Sequence, residues 1–267
     1  RYKTIPIIMK IELSDPKKVL QFSIILQNIR AYSEHVVINI SKKGLFMQGM
    51  DVSHCILFEI KLNPVWFNLF NFDEENDNST LGINTNILHK IIAILRDGQT
   101  IVLEAEDNDK LNISFIGGND KTFNKYFEIP LMEINKEIVE ITIADTDVEL
   151  IMTSKSFHEL INQFQNFDEN LSLQFTEEEV SMFSDGIEGM MKVNINLEDV
   201  TEYSVVEDLN MEQSYSLKHI AMMCLFNKLS DEFNMTFSED KPMTGKYNLD
   251  DESFVKFYLT SKIEDNE

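Results

Sequence analysis

The stretch EIPLMEINKEIVEITIA, residues 128–144, decides how the chain is divided. It lies near the midpoint of the 267 residues, contains no glycine and has one proline, Pro130. Apolar residues recur at Ile129, Leu131, Ile134, Ile138, Val139, Ile141 and Ile143. A passive linker is Gly/Ser-rich or strongly polar, so a half-apolar segment is expected to lie across a surface. The sequence before it repeats, weakly, after it. Sliding the chain along itself sets Phe22 on Phe157, and Val36, Ile38 and Ile40 on Leu171, Leu173 and Phe175. Leu45 and Met47 fall on Val180 and Met182, and Ile60 and Leu62 on Ile195 and Leu197. A slightly shorter shift then sets Ile83 on Tyr215, Leu88 on Ile220, Ile91 on Met223, and Ile101 and Leu103 on Phe233 and Met235. Two long runs in one order predict two copies of one domain. The expected boundaries are 1–127 and 145–267, with 128–144 as the connecting linker.

The length suits two domains that each bury a core. Cys55 and Cys224 fit no metal or disulfide spacing and agree with a reducing compartment. No apolar run approaches the ~20 residues of a membrane span. The run IPIIM, residues 5–9, is too short for the core of a signal sequence and reads as a strand.

Period-2 and period-3.6 patterns then place the elements. A strand is expected at 5–13, followed by a helix that Asp15 caps and Pro16 opens, running to Arg30. Strands follow at 35–41, 44–49 and 54–62. An aromatic and then acidic tract fills 63–79, and a helix spans 86–96. Strands at 100–106, 110–116 and 123–131 complete the first half. The second half reads as a strand at 148–152, a helix from Ser154 to Phe167, and strands at 170–176, 179–184 and 189–197. A helix opened by Ser214 or Ser216 runs to Lys228, and strands cover 232–238, 243–248 and 254–259. Strand-rich halves with two helices each make an α+β protein.

The net charge of −23 argues, by itself, against a phosphate-bearing partner. Its distribution argues the other way. The four helical windows, 16–30, 80–96, 154–167 and 213–230, contain one acid, Glu159, where average usage supplies roughly eleven. They retain Lys17, Lys18, Arg30, Lys90, Arg96, Lys155, Lys218 and Lys228. Buried helices avoid carboxylates, which explains the missing acids but not the retained bases. A helical surface facing a polyanion explains both.

Enzymatic chemistry has no residues to stand on. The sequence has no Gly-rich phosphate loop, CxxC, HExxH or GxSxG. His35, His54, His89, His158 and His219 show no ligand spacing and read as surface or turn residues. Residues 73–77 alternate oxygens like a calcium loop, but Asn78 stands where glycine is required. No metal and no cofactor is expected.

At residues 44–62, GLFMQGMDVSHCILFEIKL, the chain resembles the sliding clamps of eukaryotes and archaea, the proliferating cell nuclear antigen family. The G-x-x-x-Q-x-M-D-x-S-H core is specific, and the likeness continues through LGINTNILHKIIAIL (81–95), AEDN (105–108) and KFYLTSKIED (256–265). The resemblance implies a two-domain DNA clamp subunit in a head-to-tail homotrimeric ring, with helices lining a central hole and sheets outside. Such a clamp does no chemistry. It encircles double-stranded DNA as a processivity factor and tethers DNA polymerase, the clamp loader and replication and DNA repair proteins that carry a clamp-binding motif. It works in the nucleus if the source is cellular, and in the host nucleus or a cytoplasmic replication site if viral. A clamp-fold scaffold for transcription or repair factors that does not encircle DNA is the alternative.

Carried over by position, the client pocket is Met50, Leu57, Val139, Ile141, Pro242 and Tyr258. His54 and Cys55 form its rim, and Thr260 and Ser261 the tail that pairs with a client peptide. The subunit interface is implied to pair Phe127 and Ile129 with Met191 and Val193, and the eight bases above are implied to face DNA. The sequence departs from the family at Thr260-Ser261, where Ala-Pro is usual, and at Glu140, where Gly is common. Glu177 stands where eukaryotic clamps have the lysine that accepts ubiquitin, and Glu159 and Asn162 stand where arginines are typical.

Overall fold

A computed structural model describes residues 9–72, 79–106, 109–118, 122–134, 137–141, 145–187, 189–239 and 241–262. The expected strand ahead of Met9, the acidic tract at 73–78, residues 107–108 of the AEDN turn, parts of the central stretch, Glu188 and the tail from 263 lie outside them. The chain divides into two units. The first comprises Arg1–Gly49, Glu59–Val139 and Leu249–Phe254, and the second Met50–Phe58, Glu140–Asn248 and Val255–Glu267.

The first half begins with β1 (Met9–Leu13) and α1 (Pro16–Asn28). Asp15 caps α1 by accepting the Lys18 backbone N–H, and Pro16 takes a position where no N–H is needed. Then come β2 (His35–Ser41), β3 (Gly44–Met50), β4 (Ile56–Leu62), β5 (Leu69–Phe72), β6 (Ser79–Asn84), α2 (Thr85–Ile92), β7 (Gln99–Ala105), β8 (Lys110–Gly117) and β9 (Lys125–Pro130). One antiparallel sheet has the order β5-β1-β7-β8-β9, and the second set of strands runs β4-β3-β2-β6. Phe22 of α1 is fully buried and packs against Trp66 and Phe67, each at 6.3 Å between ring centroids. Trp66 and Phe67 of the 63–79 tract are therefore core, and the half-buried Phe70 and Phe72 lie on strand β5.

The second half repeats this order: β10 (Val148–Thr153), α3 (Ser154–Phe164), β11 (Asn170–Thr176), β12 (Val180–Gly186), β13 (Gly189–Ile195), β14 (Glu202–Val205), β15 (Asn210–Ser216), α4 (Leu217–Cys224), β16 (Glu232–Ser238), β17 (Lys241–Asn248) and β18 (Phe254–Leu259). Its sheets run β14-β10-β16-β17-β18 and β13-β12-β11-β15, the same pattern element by element. Most of the residue pairs that announced the repeat are buried on both sides, among them Phe22 with Phe157, Met47 with Met182, Leu88 with Ile220 and Leu103 with Met235. The core of the second half carries its own aromatic cluster, with Phe233 5.1 Å from Phe157 and 4.5 Å from Tyr247.

Local differences from the sequence reading have local causes. Helix α3 is capped by Thr153, whose hydroxyl oxygen accepts the Ser156 N–H, while Ser154 is buried inside the helix. Ser214 belongs to strand β15, and α4 starts after Ser216 and ends at Cys224. The inward positions Met211, Gln213 and Tyr215 alternate at period 2, which makes the segment before α4 a strand. Likewise β14 was not anticipated, and α2 ends at Ile92 instead of Arg96.

Strand β4 starts at Ile56, two residues later than expected, because residues 51–55 form a loop braced by one carboxylate. Asp51 accepts the backbone N–H groups of Ser53 (3.0 Å), Cys55 (2.9 Å) and Ile56 (3.1 Å), and the Ser53 hydroxyl as well. His54 takes a left-handed φ of 58° at the loop's apex. His219 of α4 closes the loop from below, its Nε2 3.3 Å from Asp51 Oδ2 and 3.2 Å from Ser53 Oγ. His219 is thus buried, a correction to its reading as a surface residue, and these polar neighbours are what let it be.

Among its described residues, the central stretch is tied to the first unit at Leu131, Met132 and Val139. Leu131 N–H bonds to the Asp109 carbonyl at 2.8 Å, and Met132 N–H to the Gly82 carbonyl at 2.9 Å. A Cβ on Gly82 would stand 2.1 Å from the Met132 oxygen, so this approach requires glycine. Farther along, the Gln48 side-chain amide brackets Val139, donating to its carbonyl at 3.0 Å and accepting its N–H at 2.8 Å.

Two outcomes are expected. Gly82→Ala forces the Met132 backbone away; chemical denaturation should show a loss of about 1–3 kcal/mol, as for overpacking, with faster amide exchange at Met132. For Asp51, burial raises its pKa, but the hydrogen bonds from Ser53, Ile56 and Cys55 outweigh it and hold the carboxyl down at about 2. A carboxyl depressed on folding stabilises above its unfolded pKa and loses that contribution as pH falls through the folded one. Asp51→Asn should therefore cost about 2 kcal/mol near neutral pH. The gap to the native chain should close between roughly pH 4 and pH 2.

Candidate functional site

The helices keep their single acid, Glu159, in the folded chain. Helices α1 and α2 pack on each other in the first unit, and α3 and α4 in the second. The eight bases divide by environment. Arg30, on the 3-10 turn after α1, Lys90 near the end of α2, and Lys218 on α4 are exposed, with no carboxylate within ion-pair distance among the described residues. Lys228 is exposed beyond the end of α4, and Arg96 beyond the end of α2. Arg96 folds back so that its Nη1 donates to the Leu95 carbonyl at 3.1 Å, in the segment that follows α2. Lys155 stands near Glu159 at 3.9 Å, one helical turn on. Lys17 and Lys18 are engaged: Lys17 Nζ is 2.9 Å from Asp250, and Lys18 Nζ 2.9 Å from Asp251. Lys18 also lies 5.8 Å above the Trp66 ring.

Within the second unit, the Asp51-braced loop, β18 and the tail come together. Thr260 donates its N–H to the Cys55 carbonyl at 3.1 Å, and its hydroxyl reaches the same oxygen at 3.3 Å. Lys262 N–H bonds to the Ser214 carbonyl at 2.8 Å, and its ammonium to Asn170 Oδ1. The tail is thus pinned on both sides of half-buried Ser261. Thr260 has a structural use here that alanine lacks. Met50, Cys55 and Tyr258 are half-buried, His54 and Pro242 are exposed, and Lys256 Nζ stands 4.8 Å over the Tyr258 ring. Leu57 is buried among its strand neighbours and serves the core. Val139, Glu140 and the half-buried Ile141 follow on the linker, with Val139 48% exposed.

Ser53, His219 and Asp51 have the composition of a hydrolytic triad but not its geometry. One carboxylate oxygen takes both the hydroxyl and the imidazole Nε2, and His219 Nδ1 has no partner among the described residues. His219 Nε2 does lie 3.2 Å from Ser53 Oγ, but the carboxylate sits on that same nitrogen and on the hydroxyl instead of on Nδ1, so no acid orients the imidazole as a triad requires.

Strands β9 and β13 each stand at the end of a sheet, with no further strand paired to them among the described residues. Met191 and Val193 are half-buried and point inward, while Met190 on the opposite face is 61% exposed. Phe127 packs on Phe115 at 5.4 Å. Ile129 is a correction: it is buried in its own unit, so only its backbone remains for an edge contact. The sequence reading missed Tyr126 and Met190, the exposed apolar residues of these edges. The resemblance names Phe127 and Met191, and period-2 alternation along the two strands assigns their neighbours Tyr126 and Met190 to the outer face. The reading also missed what Gln48 and Asp51 do, although both stand in the motif that carried the resemblance.

Glu177 is exposed on the β11–β12 turn and accepts the Asp208 N–H at 2.6 Å. Asn162 is hydrogen-bonded to His158 at 3.1 Å.

Comparison with known proteins agrees with this architecture. Residues 17–138 match the N-terminal domain of proliferating cell nuclear antigen, and residues 140–262 its C-terminal domain. Proliferating cell nuclear antigen 2 of Plasmodium falciparum is 25% identical, over 91% of this chain and 96% of its own. The DNA polymerase sliding clamp of Pyrococcus horikoshii is 21% identical, over 92% and 96%. A solved PCNA2–PCNA3 complex from Sulfolobus tokodaii has the same fold, with a TM-score of 0.83 at 15% identity over 95% of this chain and 99% of that one. With both family domains in order across nearly its whole length, the chain belongs to the proliferating cell nuclear antigen family, the non-enzymatic sliding clamps that act as processivity factors in DNA replication.

Proposed function

We propose that three copies of this chain close head to tail, β9 of one against β13 of the next, into a ring that encircles duplex DNA. The supporting observation is that α1 to α4 expose bases and a single acid on a chain of net charge −23. Such a surface holds phosphates without reading sequence, and the closed ring supplies the processivity. Residues 1–127 and 145–267 act as the two clamp domains and 128–144 as their linker. The site of action is the nucleus in a cell, and the host nucleus or a cytoplasmic replication site for a virus. Polymerase, clamp loader and other clients dock by a short apolar motif on Met50, His54, Cys55, Val139, Ile141, Pro242 and Tyr258, with backbone pairing to Thr260 and Ser261. Gln48 holds the Val139 backbone by two hydrogen bonds from its side-chain amide.

For assembly, light scattering should give a trimer, and the loaded protein should stay on closed circular DNA and slide off linear DNA. Met191→Asp places a charge at the β13 edge and should give a soluble monomer with unchanged secondary structure. A native monomer would favour the scaffold that does not encircle DNA.

For client binding, Val139→Ala with Ile141→Ala should weaken a clamp-binding peptide at least tenfold, about 1.4 kcal/mol, by calorimetry. Glu140→Ala should change it less than about twofold, because an exposed charge beside the site contributes little. Gln48→Ala should weaken the same peptide while leaving trimer formation intact. A larger loss from Glu140→Ala than from the double variant would remove Val139 and Ile141 from the site.

A further inference from the structure

The turn between β17 and β18 presents three consecutive acids, Asp250, Asp251 and Glu252, and it is grouped with the first unit. Its shape is that of a tight two-residue hairpin turn. Ser253 N–H bonds to the Asp250 carbonyl at 3.2 Å, Leu249 N–H to the Ser253 carbonyl at 2.8 Å, and the two central residues have left-handed φ of 59° and 57°. Such a turn prefers Asn-Gly, Asp-Gly or Gly-Gly, so Asp251 suits its position, whereas Glu252 stands where glycine is favoured. Backbone geometry alone therefore does not select an acid at residue 252. The turn is anchored from outside by Asn63, whose N–H donates to Ser253 Oγ at 3.0 Å and whose side-chain amide donates to the Asp251 carbonyl at 2.6 Å.

Anchored this way, the turn sets its carboxylates on the first turn of α1. Lys17 Nζ donates to both Asp250 oxygens, at 3.2 and 2.9 Å, and Lys18 Nζ to Asp251 at 2.9 Å. These are two of the eight bases that distinguish the helical surface. Arg30, Lys90 and Lys218 on the same class of surface meet no such acid among the described residues. The two pairs are unequal: the Lys17 side chain is 65% exposed, whereas that of Lys18 is 19% exposed and lies over Trp66.

We propose that the Asp250–Asp251–Glu252 turn is a built-in competitor for nucleic-acid phosphate at the start of α1. Its carboxylates occupy the Lys17 and Lys18 ammonium groups when no duplex is present, and phosphate oxygens exchange with them when one is. The proposal rests on the reading of Lys17 and Lys18 as phosphate contacts. The exchange needs least free energy at Lys17, whose ion pair is exposed and therefore weak, and more at Lys18, whose ammonium is largely covered. The displaced carboxylates recover their own counter-cations, so net ion release on binding falls and the interaction is weaker and less salt-dependent than the lysine count implies. Weak contact is what a ring that must slide requires, and the turn makes it weak without removing the lysines.

The test uses the full-length protein and a short fluorescent duplex, with anisotropy read over a series of low salt concentrations. Asp250→Asn with Asp251→Asn keeps the turn, because asparagine tolerates left-handed φ. This variant should bind roughly three- to tenfold tighter, with a steeper dependence of log affinity on log salt by up to about two. A charge-matched control, Glu178→Gln with Glu207→Gln on exposed turns of the second unit, should gain much less. Adding Lys17→Ala and Lys18→Ala to the turn variant should abolish the gain. Equal gains from turn and control variants would mean bulk charge alone acts, and would overturn the proposal. No gain from the turn variant, while Lys17→Ala with Lys18→Ala in the native background still weakens binding, would overturn the competitor and leave the phosphate contacts standing. If those lysine changes have no effect either, the phosphate reading fails and the competitor with it.

Discussion

Burying one face of each helix against sheet is the constraint from which the rest follows. Phe22 and Phe157 are the same residue at the same place in the two halves, each fully or almost fully buried. Around Phe22 gather Trp66 and Phe67, and around Phe157 gather Phe233 and Tyr247. Removing a side chain of this size from such a place costs about 3–5 kcal/mol, a large part of a domain's net stability. With the inner face so committed, the outer face of each helix is free of packing demands. Its composition is then set by what lies outside it, and it excludes carboxylates almost completely.

The polar groups that do enter the interior are there to shape loops. Asp51 collects four donors and thereby fixes a five-residue excursion between β3 and β4. That excursion carries the Cys55 carbonyl, to which the tail is tied through Thr260. A single carboxylate therefore organises both the rim and the tail of the proposed client site. Gln48 does the equivalent for the linker, its side-chain amide bonding both the N–H and the carbonyl of Val139. Cys224, by contrast, is simply packed: burial pushes its thiol up to about 12, so it is an unreactive member of the core.

Charge in this chain is a matter of position. The pairs Lys17–Asp250 and Lys18–Asp251 join groups 233 residues apart in sequence. A count along the chain places those lysines among the bases of an acid-free helix. In space the acids come from a hairpin turn, so the electrostatic character of the start of α1 differs from that of α2 or α4. The same holds for Lys155 and Glu159, although there the helical period already makes the pair legible.

The sequence by itself determined the repeat, the helix starts at Asp15 and Pro16, the acid-free helices and the family. Each of these is a local or periodic signal: apolar residues at matching positions, a cap before a proline, a composition shift, a contiguous motif. The strands at 202–205 and 210–216 carry the same kind of signal, an alternation of exposed and inward residues at period 2. Only the tertiary structure decided which lysines are paired, that Ile129 faces inward, that His219 is buried beneath Asp51, and why Gln48 and Gly82 are required. Each of those depends on a partner distant in sequence, Asp250, Leu111, Ser53, Val139 or Met132. A one-dimensional pattern records which residues want burial or a hydrogen bond. The partner that satisfies them is chosen by chain topology, which brings together residues that no spacing along the sequence relates.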